Sequence, residues 1–286
     1  MQNTETNSEC RGVFFVRNGE LIENQHFNDR IHVTGISFYE VLRVKEKTPL
    51  FAEDHLKRLL KSVKNSGSEF SLPLLPVSEN IRLLIFKNHD IEEGNIRVLL
   101  HFPVSLNKQP DIYIYYIPHY YPSEEEYTAG VRLIPVHTER TSIHSKIINP
   151  DFRSFINQKI KANSAYEAIL VNNQGYITEG SKSNVFFIKN NKIVTPPEKD
   201  VLPGITRKYV LDICRNSGNE VEEKKINYAK TGDYDSCFIT GTSPGVLAAR
   251  NIGSTGFSPV HPLIKFVRCK YESLVNKYIE SNRPSG

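Results

Sequence analysis

The 286-residue sequence holds four short segments whose residue types could do chemistry on a charged ligand. Gly204-Ile205-Thr206, preceded by Pro203, stands where a loop enters a helix. The exposed N–H groups and the dipole of such a terminus make an anion site. Thr240-Gly241-Thr242-Ser243-Pro244-Gly245 follows a strand-like run, and its small residues suit a concave anion nest. Thr178-Glu179-Gly180-Ser181-Lys182-Ser183-Asn184 sets one carboxylate among small hydrogen-bonding residues. Lys146, in His144-Ser145-Lys146-Ile147-Ile148-Asn149, is flanked by apolar side chains. A free lysine titrates at ~10.4, so nucleophilic or base work requires burial or a neighbouring cation. Taken singly, each segment also reads as an ordinary helix start, a surface turn, a solvated loop glutamate or a solvated lysine. Together they supply two anion sites, one lysine and one carboxylate. That is the inventory for pyridoxal 5′-phosphate: a Schiff-base lysine, a partner for the pyridine nitrogen and a phosphate cup.

The elements that must position these residues fall into two groups. Residues 13–16 and 21–22 flank Asn18-Gly19, a strong hairpin signal, and 38–44 pairs with 49–51 across a polar turn. Leu56, Leu59, Leu60 and Val63 repeat at helical spacing, with Gly67 just past the end, and a second helix fits 79–88. Strands at 95–102 and 111–117 complete an N-terminal α+β domain over 13–120. A disordered tail over 1–12 precedes it. Tyr121-Pro122 and Glu124-Glu125-Glu126 mark 121–129 as a linker. The remainder, 130–286, reads as a larger β-rich domain with peripheral helices at 152–165, 204–218 and 263–278.

Composition excludes several classes. Thirty-six basic and 32 acidic residues leave a formal net charge of +4 with the signs interleaved. There is no basic stripe and no nucleic-acid motif. No apolar run approaches the ~18 residues that span a bilayer. The polar N-terminus, with Glu5 and Glu9, does not read as a targeting peptide, so a cytoplasmic protein is expected. Four scattered cysteines without a CxxC pair and nine dispersed histidines indicate no metal site.

With these segments in order, the chain resembles the fold-type IV pyridoxal-phosphate enzymes: branched-chain and D-amino-acid aminotransferases and aminodeoxychorismate lyases. Phe38-Tyr39-Glu40-Val41 is similar to the family's strand near the substrate, and His55-Leu56-Lys57-Arg58-Leu59 to its His-Leu-x-Arg-Leu helix. Lys146 with Asn149, Tyr166-Glu167-Ala168-Ile169-Leu170, Glu179-Gly180 through Asn184, Leu202 through Arg207 and Gly241-Thr242-Ser243 follow in the family's order. The resemblance implies a two-domain D-amino-acid-aminotransferase-like α+β fold and pyridoxal 5′-phosphate as cofactor. It implies that Lys146 is the catalytic residue that carries the cofactor and shuttles the proton. It implies that Arg58 holds the phosphate with Ile205, Thr206, Gly241 and Thr242, and that Glu179 faces the pyridine nitrogen. Tyr39 and Arg97 fall on the substrate side. A homodimer is implied too, with Arg97 or a neighbouring loop reaching the partner subunit's site.

Some residues depart from the family's pattern. Where it often reads Asp-Arg-Gly and then Gly-Asp-Gly, this chain has Asp29-Arg30-Ile31-His32-Val33-Thr34-Gly35-Ile36-Ser37. The strand that often ends in Arg-Gly ends in His101-Phe102-Pro103, and Pro150 follows Asn149. The implied function is a class IV aminotransferase that moves an amino group between an amino acid, of branched-chain or D type, and a 2-oxo acid. The alternatives are a 4-amino-4-deoxychorismate lyase releasing pyruvate and a pyridoxal-phosphate-binding protein with altered catalysis.

Overall fold

The computed structural model describes residues 8–31, 33–140 and 142–283, so His32 of the altered loop and residues 1–7 of the expected tail lie outside the described residues. Two compact units divide the chain. One takes the residues up to Tyr120 with Ser145–Ile148 and the end of the chain from Tyr278; the other takes Tyr121–His144 and Asn149–Lys277. Lys146 therefore belongs to the first unit, although it follows the strand that opens the second.

The first unit contains β1 (Arg11–Arg17), β2 (Glu20–Glu23), β3 (Ile36–Lys45), β4 (Thr48–Pro49), α1 (Ala52–Asn65), α2 (Leu74–Lys87), β5 (Gly94–Phe102) and β6 (Asp111–Ile117). Its six strands form one antiparallel sheet in the order β2-β1-β6-β5-β3-β4. Side chains alternate across it, as strand geometry requires. Phe38, Leu42, Ile96, Val98 and Leu100 face the helices and pack with Leu56, Leu59, Ile81 and Leu84. Tyr39, Val41, Leu99, Tyr113 and Tyr115 line the opposite face with Cys10 and Phe15. Helix α2 starts at Leu74, five residues before the expected 79. Pro76 falls in its first turn, where a missing N–H does no harm.

The expected tail over 1–12 is ordered in its described part. The Asp29 carboxylate accepts from Glu9 N–H at 2.7 Å and from Ser8 Oγ at 3.1 Å, and Asn24 Nδ2 donates to Gly12 O at 2.8 Å. Gly35, the one glycine kept in the altered loop, has φ +72°, and a Cβ there would lie 2.1 Å from Phe102 O.

The second unit contains α3 (Glu124–Ala129), β7 (Val131–His137), α4 (Pro150–Ala162), β8 (Glu167–Val171), β9 (Tyr176–Gly180), β10 (Asn184–Lys189), β11 (Lys192–Thr195), α5 (Ile205–Asn216), β12 (Val221–Glu223), β13 (Ile226–Asn227), β14 (Ser236–Gly241), β15 (Gly245–Ile252) and β16 (Thr255–Gly256). A closing helix, α6 (Pro262–Asn282), follows. The ten strands make one mixed sheet; β7 runs parallel to β15 and β8, and β11 parallel to β12. The stretch expected as a linker over 121–129 instead holds α3, because Ser123 and Glu126 form a reciprocal capping box. Pro150 is the first residue of α4, and Asn149 caps it by accepting from Phe152 N–H at 2.9 Å. No helix among the described residues is long and apolar enough to cross a membrane.

Candidate active site

In the first unit Lys146 is fixed by its backbone. Tyr39 N–H donates to Lys146 O at 3.0 Å and Ile148 N–H to Ser37 O at 2.9 Å, so residues 145–148 run as an extra edge beside β3. Ser62 of α1 holds the other side. Its carbonyl accepts from Ser145 Oγ at 3.1 Å, and its Oγ accepts from Lys146 N–H at 3.4 Å. The Lys146 amine then stands 5.0 Å from the centre of the Tyr39 ring and 3.7 Å from Glu40 Oε2.

Glu40 is the residue around which this cluster is built, and the sequence reading assigned it no role. It is fully buried among hydrophobic residues on the helix-facing side of β3. Arg58 Nε donates to Oε1 at 2.7 Å and Arg58 Nη2 to Oε2 at 2.6 Å, a bidentate pair. His55 Nδ1 lies 2.8 Å from Oε2, and since a carboxylate only accepts, the ring carries its proton there. Burial alone would push the Glu40 carboxyl up, but Arg58 and then Lys146 outweigh it and hold it well below the usual carboxylate range. Burial also drives the His55 imidazole below its ordinary value, against the pull of Glu40. The cluster thus sets two cations against one carboxylate and a neutral histidine. A guanidinium has five N–H donors, and the Glu40 pair takes two of them.

The second unit organises its own residues. Glu179, at the end of β9, is buried; its Oε2 accepts from Leu202 N–H at 3.1 Å and its Oε1 lies 2.8 Å from Arg140 Nε. Arg140 Nη2 also donates to Ser181 O at 2.5 Å. Beneath the turn, Glu167 Oε1 accepts from Lys182 N–H at 2.5 Å and Ser181 Oγ at 3.3 Å. Burial raises the Glu167 carboxyl, in spite of the hydrogen bond from Lys182 N–H. Asn184 Nδ2 reaches across to Leu202 O at 2.9 Å, which ties the 202–204 loop to β10.

The phosphate-loop candidates follow. Helix α5 opens at Ile205 and Thr206 with Gly204 as its N-cap and no side-chain cap bond, so its first N–H groups depend on other partners. Gly204 is required by crowding, since a Cβ there would lie 2.0 Å from Asn184 Oδ1. Gly241 ends β14 opposite Gly245 of β15, with Thr242, Ser243 and Pro244 as the loop between them. Just before that loop the Thr240 hydroxyl is buried and has no hydrogen-bond partner among the described residues. In the second unit an uncapped helix start and an orphaned buried hydroxyl suit a phosphate group. In the first unit the Lys146 amine beside the Glu40–Arg58 pair suits the aldehyde of a phosphate-bearing cofactor.

Arg97, expected to approach a partner's site, has its guanidinium 5.3 Å from the centre of its own chain's Tyr39 ring, the ring that Lys146 also faces. Of the residues the sequence reading gave no role, Glu40, Arg140 and Glu9 each bind an expected site residue, and Glu167 holds the turn that follows Glu179. The signal for Glu40 was present: next to Tyr39 in a strand, it must face the other way, toward the His55 and Arg58 side of α1.

Comparison with known proteins places this geometry in context. A family model described as amino-transferase class IV matches residues 37–252. The chain is 30% identical over 277 residues to D-alanine aminotransferase of Bacillus licheniformis, an alignment that covers 90% of this chain and 95% of that one. Among solved structures it is similar to a T.th. branched-chain amino acid aminotransferase with pyridoxamine 5′-phosphate, at TM-score 0.83 and 22% identity, over 95% of this chain and 98% of that one. It is also similar to a Legionella pneumophila chain provisionally assigned as 4-amino-4-deoxychorismate lyase, at TM-score 0.75 and 25% identity, over 87% and 93% of the two chains.

Proposed function

The chain belongs to the class IV aminotransferase family, whose cofactor is pyridoxal 5′-phosphate, and on that premise we propose that it exchanges an amino group between an amino acid, of branched-chain or D type, and a 2-oxo acid. The observation that carries this reading is the Lys146 amine, held by β3 and Ser62 against the Tyr39 ring and beside the Glu40–Arg58 pair. Bound there, the cofactor supplies a carbonyl carbon for the amine and a ring that takes up electrons when the substrate Cα–H bond breaks.

The chain's own residues do the rest. Lys146 Nζ would hold the cofactor and would take and return the substrate Cα proton. Arg58 is the phosphate-holding candidate of the first unit, and the N–H groups of Ile205 and Thr206 with the Gly241-Thr242 loop are those of the second. Glu179, pinned by Arg140 and Leu202 N–H, would accept from the pyridine nitrogen. Tyr39 lines the substrate side, and Glu40 sets the position of Arg58.

A visible spectrum of the purified protein tests this with L- and D-amino acids added in turn. A yellow band that one set bleaches, and that Lys146→Ala lacks, is the expected result. A protein that stays yellow with every amino acid refutes transamination. The likeness to the Legionella chain supports a lyase as the second reading, and pyruvate released without any amino acceptor would establish it. A homodimer belongs to the same proposal and is read by sedimentation.

A further inference from the structure

We propose that Glu9 is a built-in carboxylate that fills the Arg97 subsite and so makes this enzyme select against substrates carrying a second carboxylate. This rests on the aminotransferase reading and names the class of substrate that the site accepts.

Arg97 is an arginine placed to bind an anion. Its side chain is 14% exposed, and it stacks over the rings of Tyr39 and Tyr115 at 5.3 and 5.8 Å. Its Nε is buried without a hydrogen-bond partner among the described residues. The Lys146 amine and the Arg97 guanidinium face one ring, so they lie no further apart than their two distances to its centre laid end to end. A side-chain carboxylate on a substrate reacting at Lys146 comes within reach of that guanidinium.

The position is already taken. Arg97 Nη1 donates to Glu9 Oε1 and, at 3.3 Å, to the Tyr115 hydroxyl; that hydroxyl donates to Glu9 Oε2 at 3.2 Å. Burial pushes the Tyr115 phenol up, Arg97 opposing it, so Tyr115 keeps the proton that it donates. Glu9 is itself held in register. Its N–H donates to Asp29 Oδ1 at 2.7 Å, and Cys10 beside it is buried in the core of that sheet face. With Glu9 in place, the pair is neutral and offers an incoming second carboxylate only a like charge. A monocarboxylic substrate makes no such demand. The amino acid and the 2-oxo acid that this chain pairs are therefore both monocarboxylic.

The test uses the holoenzyme, wild type and Glu9→Gln, in two readouts. Calorimetric titration with glutarate and with butyrate reads the subsite without any chemistry. The ratio of kcat/KM for acidic over neutral amino acids reads selection. Glu9→Gln should bind glutarate about ten- to a hundredfold more tightly, as one charge-assisted contact is worth, with butyrate little changed. The kcat/KM ratio should rise by a similar factor. Adding Arg97→Gln to Glu9→Gln should abolish the gain, and Glu9→Asp, which withdraws the carboxylate by one methylene, should give part of it. Equal glutarate affinity in wild type and Glu9→Gln overturns the proposal, as does a Glu9→Gln that only melts earlier with both ratios unmoved. A gain that survives loss of Arg97 overturns it too. If no amino acid is transaminated yet glutarate binding still separates the variants, the aminotransferase reading has failed and the subsite has not.

Discussion

Replacing Glu40 by Gln should destabilise the chain by about 3–5 kcal/mol, the usual loss when one partner of a buried charge pair is removed. Glu40 is fully buried and takes Arg58 Nε at 2.7 Å, Arg58 Nη2 at 2.6 Å and His55 Nδ1 at 2.8 Å, with Lys146 Nζ 3.7 Å away. An amide keeps the volume but turns an NH2 group toward one of those donors, and it leaves two cations without their counter-charge. For a chain of this size that is roughly 6–15 °C in Tm. The assay is urea unfolding followed by far-UV circular dichroism, because the sequence has no tryptophan to report by fluorescence. It is run with and without cofactor, since bound ligand adds its own stabilisation. Glu79→Gln, at an exposed position on α2, is the control and should stay within about 0.5 kcal/mol of wild type. The pH dependence supplies a second limb. A carboxyl held below its ordinary 4.5 gives stability that is full above that value and lost as pH falls toward the folded one. The gap between wild type and Glu40→Gln should therefore be constant near neutrality and close progressively below pH 4.5. Adding Arg58→Met to Glu40→Gln should recover part of the loss by removing an orphaned charge. A loss under about 1 kcal/mol, or a gap that does not change on acidification, would refute the buried-pair account.

Three further outcomes follow from the geometry. His55 is held below its ordinary 6.5, so the unfolded chain takes up a proton there before the folded one does. Stability should begin to fall as pH drops below 6.5, and His55→Gln should flatten that limb; a wild-type-minus-variant difference that is level from pH 7 to 5 would count against it. Arg140→Gln removes the guanidinium that lies 2.8 Å from Glu179 Oε1 and that donates to Ser181 O. Cofactor affinity, read by absorbance during dialysis, should fall about tenfold or more. Gly204→Ala drives a Cβ to 2.0 Å from Asn184 Oδ1 and should cost about 1–3 kcal/mol in a urea melt. Gly232→Ala, where a Cβ meets nothing within 4 Å, should be near neutral.

What the sequence made legible was set by periodicity and by turn chemistry. The repeat at Leu56, Leu59, Leu60 and Val63 defines a helix face, and Gly67, at φ +83°, lies two residues past the end of α1. Helix α3 went unread within 121–129 because three consecutive glutamates read as a solvated charge run. A capping box needs only the spacing of Ser123 and Glu126, which was there to be seen. The order of residues 8–12 went unread for another reason: Glu9 is fixed by Asp29 and Arg97, and nothing local in sequence announces partners 20 and 88 residues away. The same holds for Arg140 and Glu179. Local pattern names groups that can do chemistry, such as Lys146 and Glu179, because their flanking residues are unusual. It is silent on the groups that hold them, because those are brought together by the fold. Tyr39 and Glu40 show both cases within one dipeptide. The strand's alternation sends Tyr39 to the face shared with Arg97, and Glu40 to the face under α1, where His55 and Arg58 are one helical turn apart. One residue lies under Lys146 and Arg97 and its neighbour anchors Arg58, so a one-residue slip of β3 would exchange the two positions and leave a tyrosine ring where Arg58 requires a carboxylate.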